Sequence, residues 1–217
     1  MSAKAINMRN KVSDLQVTLF HAAKQSPDRK FGVLYDKIYR EDIINEAYNR
    51  VRANKGAPGV DELSFLHIEQ IIGLEVFLEE IINDLRHYTY VPSPVLRCWI
   101  DKPGKPEKRP LGIPVIKDRV IQMAVKLVIE PIFESNFLEC SYGFRPWRSA
   151  HQAIDAIRRT INFKKQTVVI DADIKGYFNN IRHDTLMNLV GRRISDPHLL
   201  KLIKSWLTCG VMEDGRL

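Results

Sequence analysis

Four short stretches of this chain hold residue types that could do chemistry. In the first, the apolar run Thr167-Val168-Val169-Ile170 leads into Asp171-Ala172-Asp173, followed by Ile174-Lys175-Gly176-Tyr177-Phe178. Residues two apart on a regular strand share a face, so both carboxylates would project from one rigid edge. Oxygen ligands of that kind suit a divalent cation. The five residues that follow could turn backbone donors and an aromatic ring toward a nucleotide. A plainer reading makes both acids solvent-facing strand-end residues, or caps of the next helix. A glycosidase-type carboxylate pair is also formally open, but its members normally come from separate elements several ångströms apart. The residues themselves do not choose between Asp171 and Asp173 as the metal ligand.

The second stretch places Lys102 and Arg109 around the turn Pro103-Gly104-Lys105-Pro106. Arg can grip phosphate oxygens bidentately and Lys can follow them as a mobile point charge, although basic turns are more often simply solvated. A triphosphate with its metals needs both signs of charge, so the cationic turn and the acidic run complement each other. The third is Asn54-Lys55-Gly56-Ala57-Pro58-Gly59-Val60-Asp61. A tight inter-helix turn explains its Gly and Pro, and exposed N–H groups beside Lys55 would explain phosphate contact equally well. In the fourth, Ser141-Tyr142-Gly143-Phe144-Arg145-Pro146-Trp147-Arg148-Ser149, three aromatics alternate with two arginines. That composition stacks bases and neutralises a nucleic-acid backbone, or else anchors a loop between two helices. The six histidines show no HxxxH spacing and suggest no zinc site, and His183-Asp184 reads as a helix start.

Periodicity predicts the elements that must position these stretches. A helix is expected over 4–24 with Ile6, Val12, Leu15, Leu19 and Phe20 on one side, ended by Ser26-Pro27-Asp28. A second spans about 42–53 on Ile43, Ile44, Ala47 and Val51, and a third, capped by Ser64, runs through 65–87. Val95–Ile100 alternates as a strand and pairs over a few residues with a short, Pro-blocked strand near 109–111. Asp118 opens an apolar helix reaching about Phe137, with Pro131 as a kink or break. Ser149 caps a helix over 150–163, the acidic strand occupies 167–173, and helices follow at 183–194 and, from Asp196-Pro197, at 196–208. Val211 to Leu217 reads as a hairpin turning at Glu213-Asp214-Gly215.

The chain has 217 residues, 45% hydrophobic, enough for a real core in one domain or two small lobes. Its formal charge of +7 favours a polyanionic partner. Lys and Arg outnumber Asp and Glu by 11 to 6 over residues 1–60 and by 15 to 9 over 96–175, whereas 61–95 carries 1 against 7. Two basic tracts thus flank an acidic one. Cys98, Cys140 and Cys209 form no CxxC pair, which argues against a zinc ribbon or a disulfide scaffold and fits a reducing compartment. No apolar run is long enough to span a bilayer. The expectation is a soluble, cytoplasmic protein with no membrane partner.

Taken in order, these stretches resemble the N-terminal half of group II intron reverse transcriptases, also called maturases. Asn54–Asp61 is similar to the family's N-terminal extension motif. Lys102-Pro103-Gly104 through Arg109-Pro110-Leu111-Gly112-Ile113-Pro114, followed by Asp118-Arg119-Val120-Ile121-Gln122, is similar to the fingers motif. Tyr142–Pro146 with Arg148-Ser149-Ala150-His151 resembles the next motif, and Asp171–Phe178 resembles the palm motif. The likeness covers roughly residues 34–190.

The resemblance implies an α+β fold, the fingers and upper palm of a right-handed polymerase, mostly helical with a small antiparallel sheet. Its divisions would be 1–95 (N-terminal extension and helical fingers), 96–165 (fingers hairpin and helices) and 166–217 (start of the palm). It implies that Asp173 is the catalytic aspartate and metal ligand, with the Ile174 carbonyl beside it. Lys102, Arg109 and the turn Ile174, Lys175, Gly176, Tyr177 and Phe178 would meet the nucleotide, Phe178 excluding a 2′-OH by bulk. Asn54, Lys55, Gly56, Arg119, Arg145 and Arg148 would meet RNA. The activity implied is RNA-directed DNA synthesis with two Mg²⁺ ions and deoxynucleoside triphosphates, on an RNA template and DNA primer, together with intron RNA binding and room for a homodimer. A non-catalytic splicing cofactor, or a retron- or CRISPR-associated reverse transcriptase, is the alternative. The family's Tyr-x-Asp-Asp motif does not occur in these residues, so the expectation is a piece of a longer protein that binds RNA but does not polymerise by itself.

Overall fold

Apolar residues at helical spacing build most of this molecule. Its computed structural model describes residues 3–104, 106–164 and 168–216. The helices are α1 (Ala3–Gln25), α2 (Tyr35–Ile38), α3 (Glu41–Ala53), α4 (Phe65–His67), α5 (Leu74–Arg86), α6 (Ile116–Glu134), α7 (Ala150–Lys164), α8 (His183–Val190) and α9 (Pro197–Leu207). Three strands, β1 (Val95–Asp101), β2 (Lys108–Ile113) and β3 (Val211–Met212), with a π-helical turn over Ile68–Ile72 and a 3₁₀ turn over Phe178–Asn180, complete the regular structure among the described residues.

The core forms where α1, α3 and α6 meet. Ile43, Ile44 and Ala47 on α3 are fully buried against Val120, Ile121, Ala124, Leu127, Val128 and Ile132 of α6, and α1 adds Val12, Leu19 and Ala23. Burial of each large aliphatic side chain is worth roughly 1.5–3 kcal/mol, so this stripe outweighs the modest helix propensity of its β-branched residues. The Ile6 side chain lies outside the described residues. Pro131 does not break α6. It lacks the N–H that would bond the Leu127 carbonyl four residues back, and Gln16 of α1 donates its side-chain amide to that oxygen at 2.9 Å. The helix ends at Glu134, short of the expected Phe137, where Ser135 turns its hydroxyl onto the Ile132 carbonyl at 2.7 Å.

Several expected elements differ from those observed. The continuous helix over 65–87 is split. Ser64 caps α4 as expected, accepting from the His67 amide at 3.1 Å. A π-helical turn over Ile68–Ile72 then closes on Gly73, whose φ of 89° no ordinary helix accepts. Only glycine visits that region cheaply, so the chain re-aims there before α5 begins. The helix expected over 183–194 stops at Val190, because the next residues are drawn into a bridge with the segment before α2. Phe31 N–H donates to the Arg193 carbonyl at 2.8 Å, and Ser195 N–H donates to the Phe31 carbonyl at 2.9 Å.

The sheet is mixed rather than antiparallel, in the order β2-β1-β3. β1 and β2 pair antiparallel from Leu96↔Ile113 to Asp101↔Lys108, a longer ladder than expected, while β3 joins the other edge of β1 in parallel through Val95↔Val211. Pro110 is tolerated because β2 is an edge strand, where alternate N–H groups need no partner in the sheet. Lys105 of the turn lies outside the described residues. At the far end, Asp214 and Gly215 both have positive φ between paired Glu213 and Arg216, the backbone of a type I′ turn, as the Glu-Asp-Gly sequence suggests.

The largest departure falls on the acidic run. Thr167 is outside the described residues, and residues 168–173 are not a strand but extended, irregular and exposed chain. A strand exists only by pairing, and no described segment lies alongside to pair with it. Val168, Val169 and Ile170 are each at least 78% exposed.

Candidate functional site

Each candidate stretch takes its geometry from a different part of this frame. Asp173 sits on the unpaired segment and Lys175 begins a turn in which Gly176 has φ 63°. Asn180 closes that turn by donating its side-chain amide to the Gly176 carbonyl at 2.8 Å, and a one-turn 3₁₀ helix follows over Phe178–Asn180. Phe178 is 81% exposed, and its ring meets that of Tyr177 edge-on at 5.3 Å. Ile174 is exposed as well. Among the described residues neither Asp171 nor Asp173 has a hydrogen-bond or ion-pair partner, so both carboxylates are available to a cation. No group of three or more His, Cys, Asp or Glu residues among those described could enclose a metal ion.

The hairpin of β1 and β2 carries the cations. Arg109 lies opposite Ile100 in the register and is exposed, with no ion pair among the described residues. Lys102, one step past β1, donates to Glu107 at 2.9 Å, which holds the Glu107 carboxyl below its usual range. No hydrogen bond, ion pair or ring contact among the described residues joins this hairpin to the 171–178 segment.

The Asn54–Asp61 loop is packed onto the start of α6. Arg119 donates to the Ala57 carbonyl at 2.6 Å, and a Cβ at Gly56 would lie 2.5 Å from the same guanidinium. A Cβ at Gly59 would sit 2.7 Å from the Val115 nitrogen. Glycine is thus needed at Gly59, where the neighbour is backbone, whereas at Gly56 a Cβ would meet only the movable tip of the Arg119 side chain. Asn54 and Lys55 remain exposed, Lys55 with φ 49°. The structure brings Asn54, Lys55, Gly56 and Arg119 together as a single patch, with Arg119 also over the Phe65 ring at 6.0 Å. Burial lowers the Arg119 pKa from its ordinary value, while nearby Asp61 acts the other way.

The resemblance implies an RNA contact for Arg145, and the structure turns its side chain inward. Its guanidinium pairs with Glu134 at 2.6 Å and donates to the carbonyls of Leu138 at 2.6 Å and Ser141 at 2.8 Å. The side chain is only 6% exposed, so Arg145 holds the 138–148 loop in shape. Arg148 pairs with Glu139 and lies over the Tyr142 ring at 5.6 Å. The two fully exposed groups of this loop are instead Phe144 and Trp147. The alternation of aromatic and basic residues pointed to the loop, but only the hydrogen bonds show which of them face out. Ser149 and Gln152 form a reciprocal cap on α7, at 2.9 and 3.3 Å.

Sequence reasoning missed the tertiary role of two buried acids, which it read only as helix starts. Asp196 caps α9 by accepting from His198 and Leu199 N–H at 3.1 Å, and its other oxygen accepts from Leu34 and Tyr35 N–H at 2.8 Å. Burial alone would raise its pKa, yet the four backbone donors hold it below the usual aspartate value. Asp-Pro signals the cap, but nothing local signals the reach to Leu34. Asp118, expected only to open α6, is 2% exposed and accepts from Tyr90 Oη at 2.7 Å and Ser93 N–H at 2.9 Å. Tyr90 in turn accepts from the Trp206 indole at 2.9 Å. Burial pushes the Asp118 pKa up, against these hydrogen bonds.

Comparison with known proteins adds to this geometry. Residues 100–216 match the family described as "Reverse transcriptase (RNA-dependent DNA polymerase)". The chain is 37% identical over 195 residues to the "Group II intron-encoded protein LtrA" of Lactococcus lactis subsp. cremoris, covering 88% of this chain and 31% of that protein. It is 34% identical over 209 residues to "Protein YkfC" of Escherichia coli, covering 94% of this chain and 54% of that one. Over 94 residues it is 33% identical to "Nuclear intron maturase 1, mitochondrial" of Arabidopsis thaliana, covering 43% of this chain and 13% of that protein. The chain thus spans about 31% of the length of the first of these relatives and 54% of the second.

Proposed function

Because this chain belongs to the reverse transcriptase (RNA-dependent DNA polymerase) family, we propose that the whole protein is the RNA-directed DNA polymerase of a group II intron and also binds that intron's RNA. One observation carries the reading. The matched stretch holds, in order, a hairpin presenting Arg109 and a turn presenting Asp173, and neither side chain has a partner among the described residues.

In this reading the hairpin and the turn belong to the fingers and upper palm of a right-handed polymerase. Arg109 grips the triphosphate of a deoxynucleotide bidentately, and Lys102 exchanges Glu107 for a phosphate oxygen. The backbone of Ile174, Lys175, Gly176 and Tyr177 lines the nucleotide, and the Phe178 ring fills the space beside C2′ of the sugar. Asp173, with the Ile174 carbonyl, contributes to holding Mg²⁺, which when bound neutralises charge on the reacting phosphates. Lys55, Arg119 and Arg148 face the RNA, and Arg145 positions the loop that carries Arg148.

The similarity to a protein named as an intron maturase favours a second role, splicing assistance that needs no carboxylate. One substitution separates the two. In the whole protein, Asp173→Asn should lower primer extension by orders of magnitude while affinity for intron RNA and splicing assistance persist. An active Asp173→Asn protein beside an inactive Asp171→Asn protein would move the metal ligand to Asp171.

A further inference from the structure

The loop between α6 and α7 contains two residues whose backbone runs uphill. Phe144 has φ 57° and Trp147 has φ 62°, the left-handed region that glycine occupies freely and bulky side chains rarely do. Packing of the rings does not offset the strain, because Phe144 is 102% and Trp147 96% exposed. The loop is imposed from beneath by Arg145 with its bonds to Glu134, Leu138 and Ser141, and by the Arg148–Glu139 pair. A rigid frame thus presents an uncovered indole at the cost of local strain, which is the pattern found at binding sites.

Trp147 stands at the edge of a cleft of about 610 Å³ between α1 and α6, whose α1 wall includes Gln16, Phe20 and His21. That volume falls within the ordinary range for a small-ligand pocket, and a nucleoside fits it. Charge on the lining is balanced. Glu134 is matched by Arg145 and Glu130 by Lys126, while Arg50 and Arg148 are held by Glu46 and Glu139. The cleft therefore offers aromatic faces and polar edges more than net charge, with the basic chain around it.

We propose that Trp147 is a stacking platform for an unpaired RNA base, which enters the cleft between α1 and α6 with Phe20 and His21 on its other side. This rests on the RNA partner proposed above and adds a recognition element for single strands. Stacking on an aromatic face requires an unstacked base, so duplex RNA of equal charge should not use it.

The test uses the 217-residue chain with a short single-stranded RNA and a fully paired RNA as probes. Single-stranded RNA should quench Trp147 fluorescence, and Trp147→Leu should remove that quenching. The same change should weaken single-strand affinity by about 5- to 150-fold, the span of base–aromatic stacking, and leave duplex affinity unchanged. Trp147→Phe should restore most of the affinity. Trp147→Gly should lose affinity as Trp147→Leu does, while its thermal midpoint stays level or rises as the strain is relieved. If Trp147→Leu binds single strands as well as the unaltered chain does, the platform is wrong and the RNA reading stands. If the unaltered chain binds neither RNA, both are wrong. A fall in thermal midpoint that parallels the loss of affinity in both Trp147→Leu and Trp147→Gly would make Trp147 a packing residue and overturn the inference.

Discussion

Asp196 and Phe178 show two opposite uses of a single residue. Asp196 is buried and saturated with donors, so its worth is in stability. Its depressed folded pKa means that its stabilisation is fully present above the unfolded aspartate value of about 3.9 and disappears as pH falls through the lower folded value. Asp196→Ala should cost about 2–4 kcal/mol at neutral pH, since it strands the Leu34, Tyr35, His198 and Leu199 amides. Urea midpoints of the variant should lack the matching acid-dependent component below about pH 4. Asp118 works the other way. Its raised pKa makes the folded state slightly costly at neutral pH, and that cost is relieved as the group protonates. Phe178 contributes nothing comparable to the core, being 81% exposed. On the proposal that it screens the sugar, Phe178→Val in the whole protein should raise ribonucleotide incorporation relative to deoxyribonucleotide. Unchanged discrimination in competitive extension would exclude that role.

At the level of elements, the break at Gly73 and the unpaired run before Asp171 follow from the same rule, that backbone groups must be satisfied where they lie. Gly73 donates its N–H to the Ile68 carbonyl at 2.9 Å, closing the π turn, and accepts from Phe77 N–H at 3.1 Å, opening α5. Both bonds depend on its φ of 89°. Gly73→Ala leaves ample room, the nearest atom being 3.8 Å away on Val76, so any loss comes from the backbone alone. The expected loss is about 1–3 kcal/mol in denaturant unfolding. A neutral result would mean that the segment relaxes to an ordinary helix. The run at 168–173 is the converse case, for it has strand-forming residues and no partner. α7 resembles it, with Ile154, Ile157 and Phe163 exposed on a helix whose apolar spacing is otherwise ordinary.

On the scale of the whole molecule, buried polar side chains tie elements that are distant in sequence. Arg193 donates to the last carbonyls of α1 and the turn beyond it, those of Ala23 at 3.2 Å and Ser26 at 3.4 Å, and Asp196 ties α9 to the start of α2. Away from those ties, Phe144 and Trp147 in the α6–α7 loop and Val168, Val169, Ile170 and Phe178 before and within the turn at Gly176 are exposed. No helix among the described residues is long and apolar enough to cross a membrane. RNA binding by this chain should be salt-dependent, with a log–log slope near −3.5 if about five single-strand phosphates are neutralised. Changing Lys55 and Arg148 together to Ala should flatten the slope by roughly one for each phosphate that is no longer neutralised. Changing Glu79 should have little effect. A flat salt response would remove the case for a basic RNA-facing surface. On the proposal that Asp173 helps to hold Mg²⁺, the same chain should not extend a primer at any Mg²⁺ concentration, because no group of three or more His, Cys, Asp or Glu residues among those described could hold a metal ion.

Amphipathic spacing by itself determined α1 and α3, because an apolar stripe at 3.6-residue period has one way to reach a core, while the apolar run after Asp118 marked α6 and Asp196-Pro197 marked α9. The turn at Asn54–Asp61 and the cap at Ser64 were equally legible, since Gly, Pro and Ser act on the backbone beside them. The order of motifs pointed to the reverse-transcriptase family. Tertiary structure decided what depends on partners distant in sequence. Gln16 satisfies the carbonyl that Pro131 leaves open, and Asp196 reaches back to Leu34. β3 joins β1 in parallel, and the acidic run stays unpaired. Above all, composition left the 141–149 loop open between base stacking and an anchor between two helices, and only the placement of Glu134 shows Arg145 turned inward while Trp147 stays outside. A guanidinium goes to the carboxylate within its reach, and that distance is a property of the folded chain.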